Sequence, residues 1–127
     1  MPEDLRDEPC LIELDQLRET AWHLRTSIRH ANEAIRGAQL LYEEEVEQGT
    51  AIRHRDVRWN PKLREELDRY KRLLGVRLVA LRRIFAERAR LESLLELTYE
   101  RIKDVNAEMH RRFFRRLDLA CAEYVVR

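Results

Sequence analysis

From Leu14 onward, apolar residues return at intervals of three and four: Leu14, Leu17, Ala21, Leu24, Ile28, Ala31, Ile35, Ala38 and Tyr42. A helix turns once every 3.6 residues, so this spacing draws one narrow stripe along a helix, the signature of coiled-coil packing. Pro9 before the run and Gly49 after it suit a start and a stop, and the pattern predicts a helix over residues 11–48. Gly37 should weaken that helix by about 1 kcal/mol relative to alanine. With the alanines at 21, 31, 34 and 38 it leaves one side thin enough for a partner helix to approach closely.

A second stripe runs through Leu63, Leu67, Tyr70, Leu74, Arg77, Leu81, Ile84, Arg88, Leu91, Leu95, Thr98, Ile102, Val105 and Met109. Asn60 is a good N-cap and Pro61 suits the first helical position, where its missing N–H has no partner to lose. Arg77, Arg88 and Thr98 interrupt the seam, while Leu73, Leu78, Phe85 and Leu94 widen it. The pattern predicts a long helix from 61 to about 126. "KDVN" at 103–106 is the place for a bend, since Asp and Asn compete for local backbone hydrogen bonds.

The polar stretch around Gly49 and Pro61 reads as a connecting loop over 49–60. Two amphipathic helices joined by so short a link fold back on each other. The expected fold is all-α: a long antiparallel, coiled-coil-like helical hairpin with a C-terminal helical extension, forming one domain over 1–127. Its packing seam is expected at Leu17, Leu24, Ile28, Ile35, Leu67, Leu74, Leu81, Leu91 and Leu95. The second helix is the longer one, so Met109, Phe113, Leu117, Ala120 and Tyr124 lack a partner in the first. A dimer, a folded-back third helix or a separate binding partner must cover them.

Composition agrees with this picture, because 39% charged and 44% hydrophobic residues with only three glycines and three prolines suit long helices. Net charge is only +1, but its distribution is uneven: residues 1–20 carry seven acids and two bases, residues 69–90 eight bases and one acid. No apolar run approaches the roughly 18 residues of a membrane span, and "MPEDLRDEPC" lacks the layout of a signal peptide. Two cysteines, Cys10 and Cys121, without zinc-like spacing suit a soluble intracellular protein.

Candidate chemistry is sparse. His23, His30, His54 and His110 do not converge on a metal-binding spacing. Ser27 and Ser93 are the only serines, neither in a nucleophile elbow, and there is no glycine-rich phosphate loop. No catalytic, cofactor-binding or metal-binding residue is therefore assigned, and a small-molecule substrate is not expected. The basic run from Arg69 to Arg90, including Arg82 and Arg83, is either a docking face for an acidic surface or a solvated face paired with Glu43, Glu44, Glu45 and Glu47. It lacks the aromatic interleaving that base stacking needs, so sequence-specific nucleic-acid binding is not expected. "HRRFFRR" at 110–116 sets Phe113 and Phe114 between Arg111, Arg112, Arg115 and Arg116. It is open to two readings, a basic-aromatic anchor for a partner or a local core ringed by snorkelling arginines.

The segments "LLYEEEVEQGT" (40–50), the Asn60-Pro61 opening, "ERARLESL" (87–94) and "HRRFF" (110–114) together resemble the small conserved tegument proteins of herpesviruses. In alphaherpesviruses that family is encoded by the fourteenth gene of the unique long segment. The resemblance covers residues 40–117, is sharpest at "RARLE" (88–92), and looks most like a betaherpesvirus, cytomegalovirus-type member. The interval from Pro61 to Arg88 is about one helical turn longer than in the alphaherpesvirus members. Their long C-terminal tail has no counterpart in this sequence, so no activity of that tail carries over. The resemblance implies a non-enzymatic virion component without cofactors, in the tegument and in host cytoplasm and nucleus. It implies capsid-associated or other tegument proteins as partners, homo-oligomerisation, and a role in nucleocapsid stability, transport and virion maturation. A charged helical hairpin also suits another class, a coiled-coil chaperone or stalk of a bacterial secretion or transport apparatus.

Overall fold

The structure, a computed structural model, describes residues 7–53 and 60–126, with side chains for all of these except 51–53 and 126. Two helices account for the fold: α1, Glu8–Arg53, and α2, Pro61–Val126. They pack against each other as an all-α helical hairpin. No strand occurs among the described residues.

Helix boundaries follow local chemistry. At the start of α2, Asn60 Oδ1 accepts hydrogen bonds from the backbone N–H groups of Lys62 (3.1 Å) and Leu63 (3.4 Å), the N-cap arrangement expected ahead of Pro61. Helix α1 starts three residues earlier than its stripe suggests, with Leu11 N–H donating to the Asp7 carbonyl at 2.9 Å. Pro9 therefore lies inside the first turn, where no intrahelical N–H bond is lost. The larger difference is at Gly49, which continues the helix instead of ending it. A glycine stop requires a left-handed backbone, and no described glycine has positive φ. Gly49 instead continues the spacing, with Glu45, beyond Tyr42, and it is buried, lining a small cavity with Leu67, Tyr70 and Leu74 of α2. Residues 54–59 of the expected loop lie outside the described residues.

Contacts group the chain into two units: Met1–Thr26 with Glu92–Arg127, and Ser27–Leu91. Within the first, the core is Cys10, Leu14 and Val105, with Leu17, Ile102 and Met109 packed against it. Bonds there pair rising numbers, from Asp7 just before α1 onward, with falling numbers in α2: Asp7 with Arg116, Glu13 with Arg101, Arg25 with Tyr99. The two segments are thus antiparallel. Helical geometry passes through "KDVN" uninterrupted, because Val105 is 3% exposed and anchors the core while Asp104 and Asn106 face outward.

Within the second unit, Ile35 and Leu91 are buried, and the same opposed order holds for Asn32 with Arg88, Glu45 with Arg77 and Gln48 with Tyr70. The arginines that interrupt the apolar stripe of α2 therefore each face a polar side chain of α1. Arg88 donates to Asn32 Oδ1 at 3.2 Å and its guanidinium stands 5.1 Å from the Phe85 ring centroid. Arg77 Nε donates to Glu45 Oε1 at 3.1 Å. Such pairs reward one alignment of the two helices and penalise a slip, which an all-leucine seam would not do. Of the other seam residues named from spacing, Leu17, Leu24, Ile28, Leu67, Leu74, Leu81 and Leu95 are half-buried.

Candidate functional site

The seam does not stop at Met109. Its spacing continues to Arg112 and Arg116, which are part-buried, with side chains 20% and 22% exposed. Arg116 donates to Asp7 Oδ2 at 2.8 Å, and Arg112 Nε to Glu108 Oε1 at 3.2 Å. Arg111 points away from the core but also binds Glu108, at 2.5 Å. These hydrogen bonds, from Arg111 first and Arg112 second, hold the Glu108 carboxyl below the usual glutamate range. The arginines of "HRRFFRR" are thus not equivalent. Arg116 reaches across to Asp7, Arg111 and Arg112 both bind Glu108 within α2, and Arg115 is exposed.

Where the seam takes arginine, the apolar residues step round the helix by one position. Phe113 and Phe114 are 51% and 57% exposed, their rings edge to face with centroids 5.5 Å apart. Phe113, Leu117, Ala120 and Tyr124 lie at spacings of four, three and four, a second stripe beside the seam. Leu117 and Tyr124 are exposed, Tyr124 at 84%, and so are Leu119 and Val125. Phe113 and Phe114 also rim a shallow groove of about 510 Å³ with Asp7, Asn106, Met109, His110 and Arg116.

In the unit Ser27–Leu91, α2 carries a further outward stripe: Arg72, Val76, Val79 and Arg83, again spaced four, three and four. Val76 and Val79 are 65% and 48% exposed, and with Gly75 and Ala80 they line an open apolar groove edged by the two arginines. Arg82 and Arg83 are exposed and make no ion pair with a described residue. Of the α1 acids expected to neutralise this run, Glu45 does so, through Arg77. Glu43, Glu44 and Glu47 are exposed. The two valines escape a reading of the sequence centred on the seam, although their own spacing marks the stripe.

Other candidate groups are dispersed. Cys10 is buried in the core and Cys121 is exposed, both as free thiols. His23 is 3.7 Å from Glu19 on one exposed helix face, and His54 lies outside the described residues. No group of three potential metal ligands occurs among the described residues. No described helix is long and apolar enough to cross a membrane.

Comparison of the chain with protein-family models, with curated proteins and with solved structures found no match.

Proposed function

We propose that the chain is a non-enzymatic helical adaptor of a herpesvirus tegument. In this reading it self-associates and docks on capsid-associated or other tegument proteins during nucleocapsid transport and virion maturation. The viral part rests on the resemblance at 40–50, 87–94 and 110–114. The adaptor part rests on one observation: the hairpin uses a single seam of α2 and leaves apolar, arginine-edged faces outside it. Exposed apolar groups rimmed by charge mark protein interaction surfaces, with the charge setting orientation and encounter rate more than affinity. Arg82, Arg83 and the Val76–Val79 strip suit an acidic-rimmed partner. The cluster around Phe113 and Phe114 suits self-association.

The test is direct. The chain should be detected in purified virions and should label tegument neighbours in infected cells by proximity tagging. A Val76→Asp, Val79→Asp double variant should keep its helicity and lose those neighbours. Absence of the protein from purified virions overturns the reading. A gene neighbourhood of secretion ATPases, in place of capsid and terminase genes, would favour the secretion-stalk alternative.

A further inference from the structure

The exposed end of α2 is self-complementary in a way that names its occupant. Residues 110–116 carry four arginines and no acid, whereas residues 117–127 carry two acids, Asp118 and Glu123, against one base, Arg127. Two copies laid parallel would set arginines on arginines. Laid antiparallel, each basic half meets an acidic half.

We propose that this segment binds the same segment of a second copy, antiparallel, across a two-fold axis beside the Asp118–Leu119 peptide. The stripe Phe113, Leu117, Ala120, Tyr124 then forms the contact. Antiparallel pairing about that axis sets Leu117 against Ala120 of the other copy and Phe113 against Tyr124. Flanking positions follow the same symmetry, Phe114 meeting Cys121 and Arg116 meeting Glu123. Each layer thus joins a large side chain to a small one or an aromatic to an aromatic, as interdigitating packing needs. The symmetry is closed, so association ends at the dimer. All of these side chains except Arg116 are exposed in the single chain. Arg116, held by Asp7, presents its charge between the intramolecular seam and the new stripe. So short a contact falls below the roughly 1,200 Å² of standard interfaces, the size range of weak, transient association.

The proposal deepens the self-association part of the functional reading, and its test is independent of whether the chain enters virions. Light scattering and sedimentation of the full chain should show a monomer–dimer equilibrium. Leu117→Glu should weaken it by about thirtyfold or more, as for a hot-spot side chain, at unchanged helicity. Glu123→Arg should weaken it severalfold, and it decides the matter should Leu117→Glu lose helicity. Orientation is read from cysteines, since Cys10 is buried and Cys121 exposed. In the antiparallel pair the two Cys121 residues lie about 8 Å apart along the axis, and positions 124 about 16 Å apart. A short bismaleimide should therefore join Cys121 to Cys121. It should not join a Cys121→Ala, Tyr124→Cys chain at a concentration where light scattering shows the dimer. Linking at both positions means parallel packing and overturns the proposal. So does a chain that remains monomeric at hundreds of micromolar, or a dimer indifferent to both substitutions.

Discussion

Replacing Arg77 with leucine should cost far more than replacing its partner. The Glu45 side chain is 12% exposed and that of Arg77 39%. Glu45 Oε1 accepts from Arg77 at 3.1 Å, while Oε2 is buried with no hydrogen-bond partner. In Arg77→Leu the carboxylate keeps its burial and loses the one cation paired with it among the described residues, the situation in which breaking a buried pair costs about 3–5 kcal/mol. The lower figure applies here, because Arg77 is partly solvated and its removal opens a path for water. In Glu45→Leu the remaining guanidinium reaches solvent along its own stem. The lost charge-assisted bond, about 1.5–3 kcal/mol, is offset by burying a leucine, worth about 1.5–3 kcal/mol. The net change should be near zero. The double leucine variant should match or exceed the parent by about 1–4 kcal/mol, the usual result when a buried pair gives way to packed apolar groups. Urea unfolding of the four proteins, followed by circular dichroism, measures all three differences. Equal destabilisation by the two single changes would refute the assignment of Glu45 as the more deeply committed partner.

Two further outcomes test the fold. Gly37 lies inside α1 with nothing within 4 Å of where a Cβ would stand, so Gly37→Ala should stabilise the chain by about 1 kcal/mol in the same assay. Glu108 has its folded-state pKa depressed by Arg111 and Arg112. Its contribution is therefore present above the unfolded glutamate value and disappears as pH falls through the lowered folded value. Glu108→Gln should lower the neutral plateau modestly, as befits an exposed cluster, leave stability at the acid end close to the parent, and so flatten the acid limb of the profile.

Much of this architecture could be read from spacing alone, because a three-four alternation sustained from Leu14 to Tyr42 and from Leu63 to Met109 has one simple geometric meaning. The Asn60 cap was legible for the same reason, a local bond needing only local residues. Gly49 was not, since glycine signals a stop only if the backbone turns left-handed, and here it stays right-handed and the helix continues to Arg53. Within "HRRFFRR", adjacent phenylalanines cannot both face a narrow stripe, so some exposure was foreseeable. The division of labour among its arginines was not. Arg112 and Arg116 take seam positions because Glu108 and Asp7 are there to receive them, a long-range fact for Asp7 that composition does not carry. Val76 and Val79 break no pattern of the seam, so seam spacing does not mark them.

The one-residue step between Arg112 and Phe113 has a genetic consequence. The hairpin seam and the stripe proposed for self-association lie on different azimuths of the same helix, so selection can act on one without rewriting the other. A library randomised at 113, 117, 120 and 124 should yield many folded hairpins with altered oligomeric habits. One randomised at 105, 109, 112 and 116 should yield few that fold at all.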